Sequence, residues 1–567
     1  MHSMKRSYSI SLIIVVLWSC FCTMALAQIP QLKTETRAVW LTTLSGLDWP
    51  RTKATNEANR ERQKQELIQI LDRYQRLHIN TVLLQTRVRG TMIYPSALEG
   101  WDPCLTGTSG KDPGYDPLSF AIEECHKRGM ELHCWMVSIP SGNASVHKML
   151  GNKTFTKTHP ELAKRVKDYW YLDPGHPDTR YYLASLCREI VECYDVDGIH
   201  FDFIRYPETS TEIVDRTSWA KYGSKSGKSK ADWRRDNITA IVREAFNTIK
   251  NIKPWVKVTC APLGKFADTN RYSAGNWNSY HRVFQDAQLW MKEGIIDGIF
   301  PMLYYRDNNF YPFVSDWIEN SNGRSVTAGL GIYFMHPREG KWTLDMVKRQ
   351  MNFSRSKGIG VAHYRSQFLT ENTKGLYDWC ESEFYPYPSL TYGLPWVEKK
   401  APETPGHLQR KSENGQTLLS WDAVTDAEYH TYVTYNVYRS TNGPVNIQSP
   451  SHLFAARLME NRLTIPENGD TKYYYAITAC DRFGNESLPL QEMEMAPLGE
   501  LYIQNNTLHV PELDKCATLQ ICDLTERVLL TYSYATTVDV SELSHGAYWV
   551  KATFQDQHTE RLGMVFK

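Results

Sequence analysis

The sequence predicts an α/β chain, a (β/α)₈ TIM barrel followed by two small all-β sandwich domains. Three observations carry this expectation. From Arg37 to about Leu369, eight apolar runs alternate with amphipathic helical stretches, as in a parallel sheet crossed by helices. No Gly-rich phosphate turn follows the first run, which disfavours a doubly wound open sheet. Near Pro402 the texture changes to alternating strand patterns separated by turns.

In chain order the expected strands are Ala38 to Thr43, Thr81 to Thr86, Glu131 to Val137 and Gly198 to Phe203. Lys257 to Ala261, Gly298 to Leu303, Val326 to Ile332 and Gly360 to Tyr364 complete the set. The expected helices between them are Asn59 to Leu77, Pro117 to Arg128, Thr179 to Tyr194, Trp233 to Ile252, Val283 to Glu293, Phe313 to Glu319 and Leu344 to Lys357. The fourth strand opens Val196-Asp-Gly-Ile-His-Phe-Asp-Phe-Ile-Arg-Tyr-Pro207. Strand alternation puts His200 and Asp202 on one face and Ile199, Phe201 and Phe203 on the other. An acid at the carboxyl end of a barrel strand sits where barrel enzymes place their chemistry. The alternative is a buried Asp satisfied by a neighbouring Arg.

Residues 30–397 form the expected barrel, and Ala401-Pro-Glu-Thr-Pro-Gly406 reads as a linker. In residues 402–497, Leu418-Leu-Ser-Trp421, Tyr435-Asn-Val-Tyr438, Tyr473-Tyr-Tyr-Ala-Ile-Thr-Ala-Cys-Asp481 and Phe483-Gly-Asn-Glu-Ser487 resemble a fibronectin type III module. In residues 498–567, Leu519-Gln-Ile-Cys-Asp-Leu524, Val538-Asp-Val-Ser541 and Gly546-Ala-Tyr-Trp-Val550 resemble the C-terminal sorting-type sandwich of secreted Bacteroidetes proteins.

Composition narrows the class further. With 42% hydrophobic and 22% charged residues over 567 positions, the chain reads as a soluble multidomain protein. A formal net charge of +1 gives no electrostatic reason to expect nucleic acid or anionic lipid. The 17 Trp and 33 Tyr lean towards a polysaccharide partner, whose apolar sugar faces stack on flat rings; filling of large cores is the competing explanation. Residues 1–27 read as an export signal. Lys5 and Arg6 precede an apolar run from Ile10 to Trp18, and cleavage is expected after Ala27. No integral membrane span is expected, so the protein belongs in the periplasm, at the cell surface or in the medium. Cys20 and Cys22 leave with the signal. The other cysteines show no Cys-x-x-Cys pair, and buried free thiols such as Cys134 and Cys260 are expected.

Seven segments in register carry a resemblance to a known family. They are Arg37-Ala-Val-Trp-Leu-Thr-Thr43, Leu47-Asp-Trp-Pro50, Ile79-Asn-Thr-Val-Leu-Leu-Gln85, Asp112-Pro-Gly-Tyr-Asp-Pro-Leu118 with Lys127-Arg-Gly-Met130, Leu172-Asp-Pro-Gly175, the Val196–Pro207 stretch, and Ser229-Lys-Ala-Asp-Trp-Arg-Arg-Asp-Asn237. Over most of residues 30 to 395 the chain resembles the glycosyl-hydrolase-like family 10 proteins, exported bacterial barrels. The resemblance implies cleavage of the glycan backbone of peptidoglycan, with a preference for strands stripped of peptides. It also implies an acid at Asp202. Two further acids common in the family are replaced here, one by Phe203 and one by Ser366, which follows Arg365.

Glycoside hydrolysis ordinarily takes two carboxyl groups. Asp202 is the first, as nucleophile or general base, with His200 below it tuning its pKa. Asp307, beyond Tyr304-Tyr305-Arg306, and Asp48 are the candidates for the second, Asp307 preferred. Trp40, Gln85, Arg87, Trp135, Tyr304, Tyr333 and Arg365 fall on or just past the lumen face of their strands, and Tyr305 adjoins them. Arg87, Arg205 and Arg365 offer forked donors to hydroxyl, acetamido or lactyl carboxylate groups, or else neutralise Asp202. Trp219, Trp277 and Tyr280 lie in loops suited to outer subsites. No cofactor is expected, and oligomeric state is open. Two rival classes stand beside the hydrolase. One is a metal-dependent deacylase using His133, His200, His363 and Asp202; the other is a barrel that binds glycan without cutting it.

Overall fold

The computed structural model describes residues 30–567, apart from 414, 427, 442–444, 467–470, 492–500, 512, 514–515 and 557. The expected export signal lies outside the described residues, as does most of the stretch joining the two C-terminal units.

The eight expected strands form one closed parallel barrel. They are β1 (Arg37–Leu41), β2 (Thr81–Arg87), β3 (Glu131–Val137), β4 (Gly198–Asp202), β5 (Lys257–Cys260), β6 (Gly298–Ile299), β7 (Ser325–Leu330) and β8 (Gly360–His363). Each pairs with its sequence neighbours, and β8 closes on β1 with Arg37 opposite Val361. The crossover helices include α1 (Glu57–Arg76), α2 (Pro117–His126), α3 (Thr179–Cys193), α4 (Lys230–Ile252), α5 (Ala287–Lys292), α6 (Tyr311–Glu319) and α7 (Leu344–Ser356).

Two of these helices show why the pattern folds this way. In α3, Leu183, Leu186, Cys187, Ile190 and Val191 are buried, a stripe at helical spacing that lies against the sheet. In α4, Ile238, Ile241, Val242, Ala245 and Ile249 do the same. Ser229 caps α4 by accepting from the Asp232 N–H, satisfying one of the donors a helix start leaves open.

The lumen is packed with side chains, as small barrels require. Trp40 fills its centre against Phe300 at 6.2 Å. A side chain at Gly329 would come within 3.0 Å of the Trp40 ring and 2.6 Å of the Pro301 carbonyl, so glycine makes room there. Below this layer, Glu131 and Lys257 form a buried ion pair at 2.7 Å across the barrel floor.

Residues 409–491 form two facing sheets. One orders Gln409–Glu413, Gln416–Ser420 and Arg462–Pro466; the other orders Leu453–Leu458, Thr434–Ser440, Tyr474–Cys480 and Leu490–Gln491. Leu419, Trp421, Tyr435, Val437 and Ile477 make their shared core. Residues 502–566 repeat the arrangement, a three-stranded and a four-stranded sheet around Leu508, Leu519, Ile521 and Val550. The first unit closes the floor of the barrel. Arg457 pairs with Glu131 at 3.2 Å and Asp197 at 2.9 Å, and Arg482 pairs with Asp195 at 2.7 Å.

The free thiols match expectation: Cys134, Cys260 and most of the others are buried, and Cys193 is exposed. Among the described residues, no helix is long and apolar enough to cross a membrane.

Candidate functional site

Asp202 is the last residue of β4, at the carboxyl end of the barrel. Its register neighbour on β3 is Val137, while Trp135 lies beside His200. From there the Trp135 indole Nε1 donates to Asp202 Oδ2 at 3.1 Å, and the Phe203 N–H donates to Oδ1 at 2.7 Å. The side chain is almost fully enclosed, at 6% exposure. Burial therefore pushes its pKa up, against the opposing pull of Arg205, these two donors and Arg89. Arg205 acts through its field and forms its ion pair elsewhere, with Glu208 at 3.3 Å.

Aromatic rings roof this carboxyl. Tyr304 and Tyr364 stack at 5.4 Å with planes 27° apart, and Tyr333 meets each edge-on at 5.9 and 5.7 Å. Tyr364 also meets Trp40 and Trp135 at 5.9 and 6.5 Å. Burial and the neighbouring Asp202 charge push the Tyr364 phenol up to about 12, so it stays a proton-bearing donor at neutral pH. Tyr305, half-buried beside this group, carries Lys265 over its ring at 4.9 Å. The resulting site is a polar acid at the mouth of an aromatic funnel.

The structure brings together Asp202, Trp135, Tyr304, Tyr333 and Arg205, with Trp40 forming the layer beneath. Other expected contacts are placed differently. Arg87 is fully buried in a two-pronged ion pair with Glu99, at 2.9 and 2.7 Å, and donates to the Val137 and Ser138 carbonyls. It braces β2 against the following loop and has no contact to offer a sugar. Gln85 is also structural: its Oε1 accepts from Thr42 Oγ1, Thr43 N and Leu44 N, pinning the chain after β1.

Asp48 and Arg365 are bonded to each other. Asp48 also accepts from the Thr42 and Gln367 N–H groups, and burial raises its pKa to about 6 despite Arg365. Both groups join the loop after β1 to that after β8, so Asp48 is engaged by Arg365 and two backbone N–H groups. Asp307 lies on an exposed turn at φ 48° and forms no ion pair among the described residues.

His200 does not touch Asp202. Its Nε2 accepts from Trp40 Nε1 at 3.2 Å and its Nδ1 meets Thr259 Oγ1 at 2.9 Å. Burial holds the ring neutral, and it sits roughly 6.6 Å lower along the strand, two residues of rise. The tuning role expected for His200 falls to Trp135 and Arg205 instead. His133 bonds Glu131 and His363 bonds Tyr385, so the three imidazoles face separate partners. No group of three His, Cys, Asp or Glu suited to a metal occurs among the described residues.

Phe203 corrects the alternation. Its φ of 49° lies in the left-handed region, which turns the chain as the strand ends. The ring then sits beneath the Arg205 guanidinium at 4.3 Å rather than under a helix. Beside it opens a cavity of about 190 Å³, lined by Arg89, Tyr169, Tyr171, Phe203, Arg205 and Glu208 among others. Sequence reasoning missed Arg89, Tyr364 and the Tyr169–Tyr171 pair. Tyr364 had a signal, as the end of an expected strand. The tyrosines lie on an inserted three-stranded sheet (Pro140–Asn143, Ala163–Val166, Tyr169–Leu172), whose only sequence trace is the run Tyr169-Trp-Tyr-Leu172. Of the loop aromatics, Trp277 is exposed beside a separate cavity of about 770 Å³. Trp219 packs on Trp233 at 5.3 Å and Tyr280 lies under Arg235 at 4.1 Å.

A closed parallel barrel with an enclosed acid and stacked aromatics at its carboxyl end has the make-up of a glycosidase-type site. The profile of the glycosyl hydrolase-like 10 family matches residues 35–326, and the chain belongs to that family. It is 30% identical over 476 residues to glycosyl hydrolase YngK of Bacillus subtilis (strain 168), covering 80% of this chain and 92% of the relative. It is 34% identical over 304 residues to glycosyl hydrolase DigH of Escherichia coli (strain K12), covering 50% of this chain and 69% of that protein. Among solved structures, the glycoside hydrolase domain of PgaB (BpsB) from Bordetella bronchiseptica aligns over 61% of this chain and 98% of its own length. The TM-score is 0.40 and the identity 15%.

Proposed function

We propose that this protein is an exported glycoside hydrolase that cleaves a β-linked glycan, with peptide-free peptidoglycan strands as the substrate. Membership of the glycosyl hydrolase-like 10 family supports hydrolysis of a glycosyl bond. The observation that carries the chemistry is the state of Asp202: a carboxyl enclosed at the barrel mouth, its pKa raised by burial. A carboxyl whose pKa burial has raised from its ordinary value is suited to exchange a proton with a leaving glycosidic oxygen. Asp202 is therefore the general acid in this proposal, in place of the base or nucleophile read from the sequence. Tyr304, Tyr364 and Tyr333 supply the ring faces and phenol donors that seat the sugar.

The second carboxyl in this reading is Asp307, which follows the Tyr304–Tyr305 pair on an open turn. The test is digestion of amidase-treated sacculi, with product sizes read by mass spectrometry. Release of peptide-free oligosaccharides is expected, and Asp202→Asn should lower kcat by about 10²–10⁴-fold while keeping glycan affinity. Asp307→Asn should lower kcat similarly, with partial rescue by azide. Binding without turnover in the parent protein would instead identify a glycan-binding barrel.

A further inference from the structure

We infer that the cavity beside Asp202 is a subsite for a free carboxylate carried on the sugar, read by Arg205 and Arg89. This rests on the glycan reading above and names the feature of the glycan that the site recognises. Three observations point to it. Arg205 is buried, at 5% exposure, yet two of its three guanidinium nitrogens, Nε and Nη1, have no acceptor. Its third, Nη2, reaches only Glu208, at 3.3 Å. A buried cation with open N–H groups is a costly arrangement, and such groups in native proteins ordinarily meet a partner.

Arg89 approaches the same cavity from the loop after β2. It is held in the left-handed region at φ 88°, and its guanidinium lies beside the Tyr169 phenol and holds that group's pKa down against burial. It forms no ion pair among the described residues. Two guanidinium groups and one carboxylate, Glu208, thus line a space of about 190 Å³, with the Asp202 carboxyl beside it. That volume is enough for a charged substituent on a sugar ring.

The flanking chemistry matches the same ligand. Phe203 and Tyr171 give apolar walls, while the planar guanidinium groups suit a planar two-oxygen acceptor. The cavity adjoins Asp202, since Phe203, which lines it, donates its N–H to that carboxyl at 2.7 Å. A sugar seated under the tyrosines would carry its acidic substituent into this space. A lactyl ether carboxylate and a uronic acid share this chemistry. An amide-linked peptide on the lactyl group removes the charge that the two guanidinium groups would read.

The experiment uses full-length Asp202→Asn protein, so that binding is read without turnover. Titration calorimetry compares a peptide-free N-acetylglucosamine–N-acetylmuramic acid oligosaccharide with its carboxyl-reduced counterpart and with a uronic acid oligosaccharide. The reduced ligand should bind at least about tenfold more weakly, the scale of one charge-assisted hydrogen bond. Adding Arg89→Gln or Arg205→Lys should erase most of that preference. Arg89 is half-buried, so its variant keeps the test valid if Arg205→Lys fails to fold. Tighter binding of the uronic acid ligand would support the subsite and reassign the carboxylate's source. Equal affinity for free and reduced ligands, no binding of any of the three, or a preference that survives Arg89→Gln would overturn the proposal. Turnover by the parent protein is measured separately, so a failed subsite and a failed hydrolase give different results.

Discussion

Trp135 and Asp202 show how one residue sets the state of another. The indole N–H donates to the carboxylate, so it favours the ionised form and holds down a pKa that burial drives up. Removing that donor with Trp135→Phe leaves the shape nearly intact and raises the pKa further. For a proton donor the active form is the protonated one, retained below the pKa and lost above it. The alkaline limb of the kcat/KM profile should therefore move up by about one pH unit, a shift read directly from the pH–rate curve. A movement of the acid limb alone would return Asp202 to the role of base. Asp202, Trp135, Tyr304 and Arg205 could be expected to lie together from the sequence because strand alternation and position at a strand end are local properties. The engagement of Arg87, Gln85, Asp48 and Arg365 was not legible because their partners, Glu99, the chain after β1, and each other, are set by tertiary contacts. A polar side chain on the right face says nothing of whether another group already occupies it.

At the scale of elements, all eight barrel strands were legible, since buried parallel strands leave short apolar runs between periodic helices. What stayed hidden was the sheet inserted after β3, whose short antiparallel strands pair only with each other among the described residues. The turn at Phe203 was hidden too, because a bulky residue at positive φ has no sequence signature. The β3–β4 pair offers a sharp packing test. A Cβ at Gly198 would lie 2.7 Å from the His133 ring, which is itself fully buried and bonded to Glu131. Gly198→Ala should cost about 1–3 kcal/mol in chemical denaturation, as overpacked cores do. A variant as stable as the parent would show that the lumen yields there.

For the whole molecule, the ion network under the barrel couples two folding units. Burial works against the charge on Glu131, but Lys257, His133 and Arg457 outweigh it and hold the carboxyl far below its ordinary 4.5. Asp197 is held down in the same way by His126, Arg457 and Arg482. With pKa values depressed in the folded state, the stabilisation is complete above the unfolded values and is lost as pH falls below them. The part of the thermal stability that Arg457 contributes should thus be constant above about pH 5 and fall progressively as the pH drops below about 4.5 towards the depressed folded values. Arg457→Leu takes one of several cationic partners from each of two buried carboxylates and should cost about 1–3 kcal/mol at neutral pH, while flattening the acid dependence. Unchanged melting at both pH values would mean that the two units behave independently.

The placement of that network also gives the molecule a direction. Arg457 and Arg482 grip the barrel where β3 and β4 begin, whereas Asp202 stands where β4 ends, so the appended sandwich and the acid occupy opposite poles. Were the tail held by an envelope or matrix, the working end would point outward like a lamp on a bracket. Long strands could then thread past it without meeting the support.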